Sequence, residues 1–248
     1  MKKIFAANWK LQKTPAQAKD FCTTFLSQIS GNFRDNKDIF IFPQNFSLAV
    51  VLQSTKDTAI LAGPQNVHFE RSGAFTGENS AEFAKAMGAK TVLLGHSERR
   101  QYFGEKSEAL NKKIKLCQDL DLLPVFCIGE TLAEREAGQT EKTCFEQLAS
   151  AISDIDKSKR FIVAYEPVWA IGTGKVATID QVKDIHLKLF QKMTELQFKN
   201  FQLLYGGSVK PDNAKDLLKV PHVDGFLIGG ASLEPDSFLK ICNSELLP

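Results

Sequence analysis

Eight short apolar runs, each followed by a stretch of different periodicity, limit what this chain can fold into more than any other feature. The runs cover residues 4–9, 39–42, 59–63, 91–95, 122–128, 161–166, 201–206 and 225–228, lengths that suit buried strands. Between them, residues 15–30, 107–120, 141–155, 179–196 and 211–219 carry apolar side chains three to four apart, the spacing of an outer helix that buries one stripe. Strand alternating with helix predicts a parallel sheet. Eight such units in 248 residues favour closure into a (β/α)8 barrel over an open doubly wound sheet, since such a barrel uses about 250 residues in one domain. No linker, low-complexity tract or sequence repeat interrupts the pattern, so residues 1–248 are expected to form a single α/β domain.

Barrel chemistry sits at the C-terminal ends of the strands, where loops from distant parts of the chain converge. Lys10, His96, Glu166, Ser208 and Gly229 all fall at or just past the ends of the proposed strands. Each alone has an ordinary reading: an exposed lysine, a core histidine, a surface carboxylate, residues of a turn. Those readings favour no particular face, whereas five candidates on one rim promote one another.

Residues 161–175, FIVAYEPVWAIGTGK, are the most informative part of that rim. The apolar run leaves Glu166 at a strand end, and Pro167 stops the pairing. Val168-Trp169-Ala170-Ile171 is too apolar for an ordinary surface loop and closes on Gly172-Thr173-Gly174-Lys175, where glycine permits backbone angles that other residues resist. An apolar tip on pivots beside an acid suggests a lid over a base that works after water has been expelled. His96 precedes Ser97-Glu98-Arg99-Arg100, which predicts a short helix capped by Ser97 or the next residue. A ring facing that helix's N-terminus is disfavoured as a cation, and a neutral imidazole is able to donate to a carbonyl oxygen. Glu98, between His96 and two arginines, is expected to orient the site through charge-assisted bonds. Cys127, inside an apolar run, reads as packing near the base.

Gly206-Gly207-Ser208 and Gly229-Gly230 follow the last two strands. Backbone N–H groups there are open to an anion because glycine has no side chain in the way. A short helix starting near Ala231 would add attraction. Two decoys fail on context. Residues 172–177 match G-x-G-x-x-A but follow a proline-led loop and lack a second-strand acid, and Val176 stands where a P-loop needs Ser or Thr. His68, His186 and His222 show no metal-ligand spacing.

Charge excludes other classes. The net +2 comes from 31 basic and 29 acidic residues that are interspersed, so no basic stripe marks a nucleic-acid surface. Five cysteines without C-x-x-C spacing argue against a disulfide framework or a zinc site. The apolar start ends at Asn8, short of a signal sequence, and no run is long enough to span a bilayer. A cytoplasmic enzyme with a small ligand is the simplest expectation.

Seven motifs add a family resemblance. NWK at 8–10, GAFTGE at 73–78, GHSERR at 95–100, CIGE at 127–130, YEPVWAIGTGK at 165–175, YGGSV at 205–209 and VDGFLIGGASL at 223–233 resemble those of triosephosphate isomerases, in that family's order and near its spacing. The resemblance implies a TIM barrel that interconverts dihydroxyacetone phosphate and D-glyceraldehyde 3-phosphate in glycolysis and gluconeogenesis, without cofactor or metal. By the same resemblance Glu166 is the base, His96 a neutral electrophile and Lys10 the cation that balances phosphate and enediolate. Asn8, Gly172, Ser208, Gly229 and Gly230 would bind substrate, with Glu98 and Cys127 in support. Residues 65–78 resemble the loop that reaches into a partner's site, which implies a homodimer with Thr76 near the other copy's Asn8 and His96. Leu11-Gln12, Pro64 and Asn79 depart from the family pattern beside that contact and leave the proposed catalytic groups intact. A barrel lyase or synthase would share the glycine turns but needs a Schiff-base lysine on a central strand or a second acid–base pair. A non-catalytic phosphate-binding module would not account for base, electrophile and lid together.

Overall fold

The structure, a computed structural model, describes residues 1–29, 33, 37–171 and 176–244. Its strands are β1 (Lys3–Asn8), β2 (Lys37–Phe42), β3 (Ile60–Ala62), β4 (Thr91–Leu94), β5 (Leu123–Ile128), β6 (Phe161–Tyr165), β7 (Phe201–Tyr205) and β8 (Gly225–Ile228). They pair in parallel in the order β3-β2-β1-β8-β7-β6-β5-β4. The N–H of Lys90 donates to Ala62 O at 3.1 Å and that of Leu93 to Pro64 O at 3.0 Å, carrying the ring across the seam between β3 and β4. This is the (β/α)8 barrel expected from the alternation, with each strand within two residues of its expected ends.

The long helices α1 (Pro15–Gln28), α5 (Ser107–Asp119), α7 (Thr140–Ala151), α8 (Ile179–Glu195) and α9 (Pro211–Leu218) fall where the 3.6-residue spacing placed them. Thr14 and Thr178 start α1 and α8 with reciprocal capping boxes to Gln17 and Gln181, which satisfy N–H groups that have no partner inside the helix. Four further helices have no such signal in the sequence: α2 (Asn45–Ser54), α3 (Ala81–Ala86), α6 (Leu132–Glu136) and α10 (Pro235–Cys242). A short helix, α4 (Ser97–Phe103), opens directly after β4. Among the described residues no helix is long and apolar enough to cross a membrane, and no group of three or more His, Cys, Asp or Glu is placed to hold a metal.

Side chains alternate across each strand, so one parity fills the barrel and the other packs under the helices. The inner set includes Ile4, Ala6, Phe40, Phe42, Leu93, Val125, Cys127, Ile162, Ala164, Leu204 and Leu227. The outer set, with Phe5, Ala7, Phe126 and Val163, joins the helix faces in a second core. Continuing the inner parity to the rim reaches Asn8 at the end of β1 and, one step past the other strands, Gly95, Gly129, Glu166, Gly206 and Gly229. Four of those six positions are glycine. Gly206 and Gly229 leave room for a cavity at the rim. One step below the aliphatic layer the same parity reaches Asp38 and Gln202, and Arg160 Nη2 donates to Asp38 Oδ2 at 2.7 Å and to Gln202 Oε1 at 2.6 Å. Gly225 begins β8 at the floor with φ +146°, and a Cβ there would lie 1.9 Å from Ile4 O.

Cys22, Cys117, Cys127, Cys144 and Cys242 are all buried. Burial pushes the Cys22 and Cys117 thiols up to about 12 and holds Cys127 and Cys144 above the usual thiol range.

Candidate active site

β1 ends at Asn8, whose Oδ1 accepts the Lys10 N–H at 3.1 Å. This turn holds Lys10 at φ 53°, a left-handed conformation uncommon for a side-chain-bearing residue. Gln65 Nε2 donates to Lys10 O at 2.9 Å and to Phe42 O at 2.9 Å, pinning the strained backbone from the neighbouring loop. The Lys10 ammonium reaches Glu98 Oε1 at 2.6 Å. Arg99 and Arg100 turn elsewhere, Arg99 to Glu105 and Arg100 to the carbonyls of Gly95 and Cys127. Glu98 is thus the partner of the lysine rather than of the arginines beside it.

α4 is capped by His96 itself, not by Ser97 or the next residue: its Nδ1 accepts the Glu98 N–H at 3.3 Å. An accepting Nδ1 places the proton of a neutral ring on Nε2, and Nε2 lies 3.0 Å from Glu166 Oε1. The other carboxylate oxygen, Oε2, accepts the Ser97 N–H at 3.0 Å. Glu166 is only 2% exposed, so both oxygens depend on these donors. A Cβ on Gly206 would lie 2.9 Å from Glu166 Cγ, closer than side chains approach, and only glycine leaves the base its place.

Burial and charge oppose each other in this pair. Burial disfavours the imidazolium, the Glu166 carboxylate favours it more, and His96 titrates above the ordinary imidazole range. For Glu166 burial favours the acid form, but His96 and the Ser97 N–H outweigh it, and the carboxyl titrates below the usual range. Cys127, directly below on the inner face of β5, stays a thiol because burial and the Glu166 charge both oppose its ionisation.

The cavity bounded by these groups has a volume of about 330 Å³ and is lined by Asn8, Lys10, Gln12, His96, Glu166, Ile171, Ser208, Leu227, Gly229 and Gly230, among others. Gly230 opens a 3₁₀ turn, Gly230–Ser232, where a short helix was expected. Trp9 Nε1 donates to Ser232 O at 3.2 Å, tying β1 to this turn. Past β6 the chain forms a second 3₁₀ turn, Val168–Ala170. Trp169 Nε1 donates to Glu130 Oε1 at 2.9 Å, and Tyr165 and Arg135 complete the shell of that fully buried carboxylate. Glu130 thereby fixes the root of the apolar segment beside the base.

The sequence model of triosephosphate isomerase matches residues 3–245. The chain belongs to the triosephosphate isomerase family. Triosephosphate isomerase of Bdellovibrio bacteriovorus is 49% identical over 243 residues, covering 98% of this chain and 100% of that protein. Those of Picosynechococcus sp. and Aquifex aeolicus are 41% and 40% identical, covering 97% and 98% of this chain and 98% and 100% of theirs. The triosephosphate isomerase family interconverts dihydroxyacetone phosphate and D-glyceraldehyde 3-phosphate, and a chain of this family is an isomerase.

The structure brings Asn8, Lys10, His96, Glu166, Ser208, Gly229 and Gly230 to one cavity, with Glu98 and Cys127 behind it. Gly172 lies outside the described residues. Thr76 is exposed, in a loop away from the cavity of its own chain. Sequence reading placed Ile171 in the apolar segment beside the base and missed Leu227 and Gln12 as lining residues. Leu227 was recoverable from strand parity, since it stands two positions before Gly229 on the same face. Gln65, which clamps Lys10, carried no local signal.

Proposed function

We propose that Glu166, His96 and Lys10 carry out the isomerisation of triose phosphates, within a single catalytic domain. The observation that carries this assignment is the 3.0 Å approach of His96 Nε2 to the Glu166 carboxylate at the wall of a cavity that also holds Lys10 and the glycine turns 206–207 and 229–230. A cavity of about 330 Å³ is at the small end of ligand sites and suits a three-carbon phosphate. Substrate takes the Nε2–H of His96 onto its carbonyl oxygen, and the displaced carboxylate turns to the neighbouring C–H. Glu166 removes that proton, the C–H electrons form the enediolate, and Nε2–H supplies a proton to the developing oxyanion. Glu166 then returns its proton to the neighbouring carbon, while Nε2 of His96, having given its proton to the first oxygen, takes the hydroxyl proton from the other oxygen, which becomes the new carbonyl. Once the carboxylate has left the ring, burial is the dominant influence on His96 and favours the neutral donor.

Lys10 offsets the enediolate charge and the phosphate together, at the cost of loosening its pair with Glu98. Ser208, Gly229 and Gly230 offer backbone N–H groups to the phosphate, and Gly172 is assigned the same task from the lid. Asn8 contributes by holding the Lys10 turn. A Schiff-base lyase is disfavoured because the inward rows of the described strands hold no lysine. Lys3 and Lys37, at the strand starts, are bound to the carbonyls of Val223 and Cys242. Isomerisation in heavy water tests the assignment: deuterium enters recovered substrate and product with the wild type, and its absence during turnover would refute a carboxylate base that shuttles protons. Inorganic phosphate is expected to compete with substrate at millimolar levels, and its failure to do so would remove the anion site.

A homodimer in the cytoplasm completes the reading. Leu11, Phe46, Phe83, Tyr102 and Phe103 are exposed apolar side chains, and a second cavity of about 430 Å³ joins Leu11, Tyr102 and Phe103 to Asn8, Lys10, His96 and Glu98. The loop bearing Thr76 on another copy would fill it and brace the catalytic groups. Gln12, Pro64 and Asn79 lie beside this contact, so dilution should lower specific activity together with the dimer fraction. Constant activity across dissociation to monomers, followed by sedimentation, would refute the coupling.

A further inference from the structure

The backbone of Glu166 is gripped from one side by the end of β5. Its N–H donates to Ile128 O at 2.7 Å, and the Val168 N–H donates to Glu130 O at 3.1 Å. Gly129 lies between those two acceptors, so close that a Cβ on it would fall 1.7 Å from Glu166 O. β5 has ended at Ile128, and the Gly129 peptide groups have no strand to pair with. They are taken instead by one side chain from the outer ring. The Gly129 N–H donates to Gln147 Oε1 at 2.9 Å, and Gln147 Nε2 donates back to Gly129 O at 3.0 Å.

We infer that Gln147, on α7, is a positioning residue for the base, acting through Gly129. A primary amide presents a donor and an acceptor side by side, as a paired strand does, so Gln147 extends the β5 ladder by one residue from outside the barrel. Gln147 and Glu166 also line one recess of about 110 Å³ on the far side of the base from the main cavity. Loss of the amide leaves two polar groups of Gly129 without partners and frees the peptide against which Glu166 is packed. The carboxylate then drifts relative to the substrate carbon, and misplacement of this kind lowers the rate of the chemical step more than it weakens binding. Gln147 itself touches neither His96 nor the phosphate turns.

This inference rests on Glu166 being the base, and the test separates the two. Steady-state kinetics are measured on Gln147→Met, which keeps the side chain's length and removes both hydrogen bonds, on Glu166→Gln, and on the double variant. Gln147→Met is expected to lower kcat about 10- to 100-fold while KM, competition by inorganic phosphate and the circular dichroism spectrum stay near wild type. In the Glu166→Gln background the same change should alter residual kcat by less than about twofold, because the group it positions is already gone. Where Gln147→Met does not fold, Gln147→Glu replaces it, keeping the acceptor and losing the donor, with the same split expected at smaller size. Unchanged kcat in a folded variant, a loss carried by KM, or a further loss of full size in the double variant each overturns the role of Gln147 alone. Wild-type turnover by Glu166→Gln overturns the base assignment, and the inference falls with it.

Discussion

The floor and the rim of the barrel interior both hold paired charge, half-buried at the floor and buried at Glu166 and His96, and they handle it in opposite ways. At the floor Arg160 reaches across the barrel to Asp38 and Gln202, and Gln202 Nε2 caps Lys2 O at 2.8 Å. Each group there has a partner that it keeps. At the rim Glu166, His96, Lys10 and Glu98 are also paired, but the geometry asks those pairs to open for substrate. The difference lies in what surrounds them. Floor charges stand on side chains that fill the barrel's end, whereas rim charges face a layer of glycines that leaves room for a ligand. Charge that is permanently matched contributes to the fold, and charge that is conditionally matched is available for chemistry.

The largest expected effect breaks the rim alone. Glu166→Gln keeps volume and one acceptor oxygen, which is enough for either the Ser97 N–H or His96, yet removes the base, so kcat should fall by about 10²- to 10⁴-fold with the thermal midpoint near wild type. A variant free of contaminating enzyme that retains most of its turnover would show that rim charge is structural after all. Gly225→Ala breaks the floor alone. A side chain at φ +146° and 1.9 Å from Ile4 O should destabilise the protein by about 3 kcal/mol or more, seen by denaturant unfolding, with kcat per folded molecule unchanged.

His186 sharpens the comparison, because it is a third way of burying a titratable group. It sits on the buried face of α8 with Nδ1 donating to His222 O at 3.0 Å and Nε2 without a partner among the described residues. Burial, with no carboxylate to oppose it, brings its pKa down from 6.5 to about 4. The unfolded chain then takes up the proton first as pH falls. Stability from this residue is constant above about pH 6.5, declines between about 6.5 and 4, and levels off below, a loss of about 3 kcal/mol in all. Subtracting the pH dependence of His186→Asn from that of the wild type isolates it, and identical profiles would show that folding leaves the ring's pKa unchanged. The smallest effect is expected at the floor pair. Asp38→Asn should cost about 1 kcal/mol, since Arg160 keeps Gln202, and should leave turnover untouched. A change in kcat would mean that floor and rim communicate.

Much of this was legible in the chain. The strands were, because each is a short apolar block bounded by polar residues. The rim was, because Lys10, His96, Glu166, Ser208 and Gly229 all fall where those blocks stop. α2 was not, since its sequence NFSLAVVLQS is apolar throughout its middle and shows no stripe. α3 and α6 run for fewer than two turns, too short for a period to register, and α10 has only eight residues. The cap on α4 went to the His96 ring, which bonded back to Glu98 N–H before Ser97 had a role. The Gln65 clamp on Lys10 and the Gln147 clamp on Gly129 arise from contacts between segments apart in sequence, and no local pattern announces them.

The five buried thiols make the folded protein its own unfolding gauge. They are distributed over α1, α5, β5, α7 and α10, and in the closed molecule each is shielded from solvent. An alkylating reagent therefore finds a thiolate only when the sector holding it opens, and the mass added with time records which sector opened and how often. Four places in the helix ring and one in the inner barrel each leave a separate trace in one experiment on the unmodified chain.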